Sequence, residues 1–226
     1  MNNREFTLDM VKNVLKVLAE KDHFFCSEAH LQTEFTIEAA KLYPNNRYFP
    51  EIVPSNIPQS YLNKYGEKGV HFDLLIKTNN QNVLVEFKYI TQSYANYVDD
   101  MWMQVKSHMA MDIRRYDCWK DIERIENFVL SNESNISYGY FILITNVPAL
   151  YNNEGHESLD ADFHIENGAH NKGIRKWKQG AGSGTIKGRE KQIETLLDYN
   201  FKYEDFYLFD EFKASIFKSL VVDISP

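Results

Sequence analysis

Two apolar stretches, His71-Phe72-Asp73-Leu74-Leu75-Ile76 and Val83-Leu84-Val85-Glu86-Phe87-Lys88, flank the run Thr78-Asn79-Asn80-Gln81. Both are rich in aliphatic and aromatic residues, and Asn tolerates the positive φ of tight turns, so the spacing predicts a β-hairpin. With Asn79 and Asn80 as the loop residues, Thr78 faces Gln81, and counting back along both arms sets Asp73 opposite Glu86. Alternation then gives Lys88 the face of Glu86, while Phe72, Leu74 and Ile76 point the other way with Val83, Val85 and Phe87.

Opposed residues have Cβ atoms about 5 Å apart, and like charges at that distance repel, so the pair Asp73 and Glu86 needs a compensating partner. A bound Mg2+, which takes hard oxygen ligands and keeps several waters, would turn the repulsion into a ligand set. Lys88 beside it would hold and polarise an attacking water or stabilise charge on a phosphate. The alternative is a surface Glu/Lys ion pair on a solvated sheet face. A second such triplet, Glu211-Phe212-Lys213, is set aside, because Phe206 to Phe209 fill the gap between Asp205 and Asp210 and offer no turn to bring a carboxylate opposite Glu211.

The chain has 226 residues, enough for one large domain with a hydrophobic core, and its 43% hydrophobic and 25% charged residues are ordinary for a globular protein. No run is long enough to cross a bilayer and the polar start Met1-Asn2-Asn3-Arg4-Glu5 is no secretory signal, so a cytoplasmic location is expected. Cys26 and Cys118 lack ligand or disulfide spacing and are expected to be small buried residues. A net charge of −7 argues against a protein that coats nucleic acid. The charge is uneven, however: Lys172, Arg175, Lys176, Lys178, Lys187 and Arg189 form a segment without acids, interleaved with Trp177 and Gly180-Ala181-Gly182-Ser183-Gly184. It reads as a mobile basic arm or as a solvated basic loop. Its glycines do not make a phosphate-binding P-loop, because no Gly-Lys-Ser/Thr follows at the required spacing.

Val11, Val14, Leu15 and Leu18 mark an amphipathic helix within Thr7 to Lys21. A second helix is predicted from the N-cap Ser27 to about Tyr43, with Leu31, Phe35, Ala39 and Leu42 as its buried stripe. Glu28 falls inside that stripe, so it is paired, protonated or near a metal, or else simply favours the helix dipole. Arg47 to Val53 is an edge strand interrupted by Pro50, and Pro54 to Gly69 is a loop. Val98 to Leu130 is predicted helical in two pieces, marked by Met101, Val105, Met109 and Ile113 and then by Ile122, Ile125 and Val129. Tyr138 to Thr145 reads as a buried strand lying parallel beside an earlier one, with further strands at Asp162 to Glu166 and Leu220 to Ile224.

The predicted order is α-β-β-β-α-β, with Asp on the second strand, Glu-x-Lys on the third and Glu on the first helix. It resembles the PD-(D/E)XK, or restriction-endonuclease-like, nuclease superfamily. Ser27-Glu28-Ala29-His30-Leu31-Gln32, Glu86-Phe87-Lys88-Tyr89, Arg115-Tyr116-Asp117 with Asp121-Ile122-Glu123-Arg124-Ile125-Glu126, and Leu143-Ile144-Thr145-Asn146 look like a bacterial branch of it known mainly as uncharacterised proteins. The resemblance covers about residues 24–150 and implies an α/β fold with a mixed central sheet flanked by helices, an N-terminal helix and a C-terminal elaboration over about 151–226, all in a single domain. It implies that Asp73 and Glu86 ligate Mg2+, or Mn2+ in its place, with the Phe87 carbonyl as a further ligand. Lys88 would position the water nucleophile, and Glu28 would reach the second-metal or water side. Gln104, on the helix after the triplet, is a weaker candidate for a phosphate or metal-water contact, and the basic residues from Lys172 to Arg189 are weaker candidates for substrate contact. The departure is that Asp73 follows Phe72 and not Pro.

The resemblance thus implies a Mg2+-dependent endonuclease that hydrolyses DNA phosphodiester bonds through a metal-activated water. The rival is a non-catalytic domain of the same kind that binds nucleic acid or a protein partner; a third reading is an enzyme on RNA or branched DNA. Cutting both strands would usually call for a homodimer. Arg115, Asp117, Asp121, Arg124 and Glu126 are read first as a structural ion network and second as substrate wall. His71 reads as a surface histidine. The grouping His156, His164, His170-Asn171 is set aside as a metal nuclease motif, for want of paired strand and helix signals.

Overall fold

The computed structural model describes residues 4–21, 24–66, 70–98, 100–152, 158–208 and 215–226. The elements are α1 (Leu8–Ala19), α2 (Glu28–Leu42), β1 (Arg47–Ile52), α3 (Gln59–Tyr65), β2 (Phe72–Lys77), β3 (Asn82–Ile90), β4 (Tyr94–Val98), β5 (Met101–Val105), α4 (Met111–Val129), β6 (Tyr138–Thr145) and α5 (Pro148–Tyr151). There follow a 3-10 turn at Ala161–Phe163, then β7 (Gly168–His170), β8 (Gly173–Arg175), α6 (Ser183–Ile186), β9 (Ile193–Thr195), β10 (Tyr199–Phe201), β11 (Tyr203–Leu208) and β12 (Ile216–Ile224). The predicted triplet Glu211-Phe212-Lys213 and His156 lie outside the described residues.

Six strands form one mixed sheet in the order β1-β2-β3-β6-β12-β11. Only β3 and β6 run parallel among its pairs, joined through α4 as a parallel crossover requires. Every residue of β6 is buried, consistent with its uninterrupted apolar run. β1, with Pro50 at its middle, is an edge strand, as its sequence predicts. The hairpin register also agrees with the sequence: Leu74, Leu75, Ile76 and Lys77 face Val85, Leu84, Val83 and Asn82, and Thr78 N–H donates to Gln81 O at 2.9 Å around Asn79 and Asn80.

The sheet separates two apolar layers. On one face, Val11, Val14, Leu15 and Leu18 of α1 and Leu31, Phe35 and Ala39 of α2 pack on Leu74, Ile76, Val85 and Phe87. Both helices begin where a hydroxyl caps a free N–H: Thr7 Oγ1 accepts from Met10 N–H and Ser27 Oγ from His30 N–H. On the other face, α4 lays Cys118, Trp119, Ile122, Ile125 and Phe128 against Leu84, Phe141 and Leu143. A Cβ at Gly139 would meet Ile125 Cγ2 at 2.5 Å and Leu84 O at 2.9 Å, so only glycine lets α4 lie this close to β6 and β3.

Several expectations are corrected. The first helical piece after residue 98 is a β-ribbon, β4 paired with β5. Its Met and Val spacing imitated a helix, but Tyr94, Val98, Met103 and Val105 are the buried set and alternate as strands do, and Asp100 closes the turn at φ 62°. The helix that follows is the one continuous α4, and Gln104 therefore sits on a strand. Pro54 to Gly69 contains the short α3, and Asp162 to Glu166 is a 3-10 turn and loop, not a strand. Phe72 does not share the layer of Leu74 and Ile76. It packs on Phe128 of α4 with ring centroids 5.0 Å apart, beside the point where Glu51 of β1 takes a positive φ of 51° between the pairs Pro50–Leu74 and Ile52–Phe72. Among the described residues no helix is long and apolar enough to cross a membrane.

Candidate functional site

The ladder between β2 and β3 stops at Leu74 and Val85, one residue short of the acidic pair. On its other edge β3 stays paired with β6 as far as Ile90. The N–H groups of Phe87 and Tyr89 are thereby left facing a gap, and buried N–H groups demand partners. Two carboxylates fill it. Asp73 Oδ2 accepts from Phe87 N–H at 2.7 Å, and Glu28 Oε2, reaching round from the first turn of α2, accepts from Tyr89 N–H at 2.9 Å. Gln32 of the same helix donates to Asp73 O and holds β2 in its departed position. The opening of the sheet is thus what gathers Glu28, Asp73, Glu86 and Lys88.

Helix α4 completes the cluster. Lys88 Nζ lies 2.8 Å from Asp121 Oδ2, 3.2 Å from Phe87 O and 3.7 Å from Glu28 Oε1. Arg124 Nη2 lies 2.7 Å from Glu86 Oε1 and 2.8 Å from Asp121 Oδ1, with its guanidinium over the ring of Phe72. Glu86 Oε1 and Asp121 Oδ2 have these charge contacts but no hydrogen bond of good geometry. The four carboxylates Glu28, Asp73, Glu86 and Asp121 thus meet two cations, Lys88 and Arg124. With all four ionised, these contacting groups are two positive charges short of neutrality; Lys120 adds a more distant positive charge beside Asp121, and Glu28, 43% exposed at its side chain, meets solvent, so the unbalanced charge falls on the buried Asp73 and Glu86.

Protons answer part of it. Burial raises the carboxyls of Glu28 and Asp73 above their ordinary range, against the pull of Lys88. It raises Glu86 much further, with Asp121 and Asp73 adding to the effect and Arg124 only partly offsetting it. As carboxylates Asp73 and Glu86 repel, so a proton on either one eases the burial of both. Burial also acts on Asp121, but Lys88 and Arg124 outweigh it and hold this carboxylate below its usual value. Lys88 rises although burial opposes it, because Asp121 and Glu28 favour the ammonium. It is therefore a proton-bearing hydrogen-bond donor and not a base.

The donor set suits a hard divalent cation. Asp73, Glu86 and the Phe87 carbonyl offer oxygen atoms only, and a divalent ion would supply the two missing charges that protons otherwise provide. Among the described residues no three His, Cys, Asp or Glu side chains form a ready-made cage, so water would have to complete the coordination of Mg2+ or Mn2+.

Beside the cluster opens a cleft of about 390 Å3 between the start of α2, the end of β3, the β4–β5 ribbon and the start of α4. Glu28, Lys88, Gln104, Lys106, Arg114 and Asp117 line it. Gln104 thus reaches the predicted place from an unexpected element. Cys26 is exposed on the same wall, contrary to the buried role expected of it, whereas Cys118 is buried.

The basic segment is a different matter. Lys172, Lys176, Lys178 and Lys187 are exposed but do not line the cleft. Arg175 is buried, 3.5 Å over the ring of Trp119 and bonded to Thr195 Oγ1 at 2.8 Å, so it belongs to the core. Arg189 forms a bidentate pair with Asp117 at 2.9 Å, and Trp177 stacks on Tyr116 and donates to Arg189 O. The segment is pinned to α4 and is not a free arm.

Asp121 and Arg124 are the site residues whose role the sequence reading missed. The available signal was position: Asp121 lies three and four residues from Cys118 and Ile125, inside the apolar stripe of α4, where a charge needs a partner. Of the other members of the predicted network, Asp117 lines the cleft while paired with Arg189, and Arg115 and Glu126 are structural. Arg115 binds Asp160 at 2.7 Å and Ala149 O at 2.7 Å, and Glu126 accepts from Leu196 N–H, Leu197 N–H and Tyr199 Oη. His71 is exposed; His164 bonds Ser158, and His170 packs on Trp119 and Phe201. No protein-family model matches the chain, and no curated protein matches it.

Proposed function

We propose that this chain is a divalent-metal-dependent nuclease of the restriction-endonuclease-like kind, hydrolysing phosphodiester bonds of DNA. The observation that carries the reading is the meeting of Asp73, Glu86 and Lys88 where the β2–β3 ladder opens, in a cluster short of two positive charges. The element order α2-β1-β2-β3-α4-β6, with β6 parallel beside β3 and the β4–β5 ribbon as an insertion, supports the same reading. In it, Asp73, Glu86 and the Phe87 carbonyl hold Mg2+ or Mn2+, which supplies neutralisation of the scissile phosphate and a lowered pKa for the attacking water. Lys88, kept protonated by Asp121 and Glu28, donates a hydrogen bond to that water or to a phosphate oxygen. Glu28 fixes the edge of β3 and presents its half-exposed carboxylate to the cleft side. Lys106 and Arg114 offer charge to neighbouring phosphates.

A second reading has its own observation. Arg124 contacts Glu86 at 2.7 Å and Lys88 contacts Asp121 at 2.8 Å, so protein cations already occupy part of the site, as they would in a domain that binds nucleic acid without cutting it. The test is incubation of the purified chain with duplex, single-stranded and branched DNA and with RNA, in Mg2+, Mn2+ or a chelator. Metal-dependent cleavage that disappears in Lys88→Ala and Asp73→Ala supports the nuclease; binding without cleavage under every condition supports the second reading.

A further inference from the structure

The β4–β5 ribbon carries an aromatic pair that the core does not use. Tyr94, Val98, Met103 and Val105 form its buried face, with Tyr94 against Phe24 and Phe217. The opposite face presents the directly paired Ala95 and Gln104 and, next along, the directly paired Tyr97 and Trp102. Tyr97 and Trp102 are 68% and 57% exposed, with ring centroids 4.9 Å apart in an edge-on arrangement. A lone exposed apolar residue needs no explanation, but a contiguous aromatic pair on a firmly anchored arm does. The base of the arm is fixed by His108 N–H donating to Thr91 O at 2.7 Å and by His108 Nδ1 accepting from Thr91 N–H.

The same outer face leads into the cleft. Gln104 is two residues from Trp102, about 7 Å along a strand, and Lys106 is about 13 Å from it. A polynucleotide with a phosphate among Lys88, Lys106 and Arg114 would therefore bring a base one or two nucleotides away onto the rings. Aromatic side chains stack on any unpaired base, whereas paired bases hide their faces in the duplex. The exposed acid Asp100 at the ribbon tip disfavours a continuous anionic lipid surface laid against that tip.

We infer that Tyr97 and Trp102 form a stacking platform for an unpaired nucleobase, directing the adjacent cleft to DNA with a single-stranded extension or junction. The inference rests on the nuclease reading of the cleft and names its substrate class. It is tested by binding of the full chain, with Ca2+ in place of Mg2+, to a duplex bearing a short single-stranded extension that contains 2-aminopurine, beside a blunt duplex. The wild type quenches the probe and prefers the extended DNA. The double variant Tyr97→Ala/Trp102→Ala loses the quench and about 5- to 100-fold of that affinity. Its circular dichroism and blunt-duplex binding stay unchanged, and Tyr97→Phe/Trp102→Phe restores most of the loss. Unchanged affinity in the alanine variant, equal loss on both DNAs, or a wild-type chain that instead sediments with lipid vesicles through these residues overturns the inference. A wild type that cleaves DNA yet shows no preference for the extension overturns the platform alone; one that neither binds nor cleaves any DNA overturns the nuclease reading beneath it.

Discussion

Asp73 Oδ2 takes the N–H of Phe87 at 2.7 Å, a bond that a neighbouring strand would otherwise make. A carboxylate serving as the end of a β-ladder is held in place by the backbone and not by side-chain packing alone. The acidic pair is therefore built into the sheet's geometry, and its charge has to be answered locally.

Proton release should accompany metal binding. Burial holds the carboxyls of Asp73 and Glu86 above their usual range, so the metal-free pair retains protons that a divalent ion must displace. Affinity for Mn2+ is expected to weaken as pH falls, and calorimetry in buffers of different ionisation enthalpy should show protons released. Binding that is independent of both pH and buffer would contradict this.

The same shift has a stability consequence of definite sign. The folded state holds the Glu86 proton more tightly than the unfolded chain, so the contribution of this group favours the fold at low pH. That contribution declines as pH rises from the unfolded value near 4.5 through the raised folded value, opposite in sign to the contribution of Asp121. Glu86→Gln should remove that part of the slope and make the metal-free protein more resistant to urea at neutral pH.

Asp121 binds Lys88 and Arg124 at once. Asp121→Asn takes the nearer partner from Lys88 and one of two from Arg124, leaving them Glu28 and Glu86, and should destabilise the fold by about 1–3 kcal/mol. Urea titration measures this, and a loss below about 1 kcal/mol would show that water reaches the cluster freely.

Gly139 of β6 sets the distance between α4 and β3, the strand that carries Glu86 and Lys88. Gly139→Ala should cost about 1–3 kcal/mol through its clash with Ile125 and Leu84. Because the relief is for α4 to move, it should also reduce any metal-dependent activity more than a surface substitution such as Lys176→Ala does.

The hairpin register, the edge position of β1 and the parallel placing of β6 were legible because each rests on a local rule: turn chemistry, the missing N–H of Pro50 and the unbroken apolar run of Tyr138 to Thr145. Asp73, Glu86 and Lys88 were legible together from the same hairpin count, whereas the helical stripe left the role of Glu28 open and only the resemblance put it beside them. The β4–β5 ribbon was not legible, because Met101 and Val105 satisfy helical spacing and strand alternation alike, and only the tertiary contact with Phe24 and Phe217 decides between them. Arg175 was misjudged because its neighbours are basic, whereas its actual partner, Trp119, is far away in sequence. Contacts of that range leave no periodic trace.

The most direct measurement is the anomalous scattering of crystals of this protein soaked in Mn2+ above neutral pH. A peak is expected between the carboxylates of Asp73 and Glu86, near the Phe87 carbonyl, and its loss in Asp73→Asn. A map without that peak, with Arg124 still seated on Glu86 in saturating metal, would contradict the metal site.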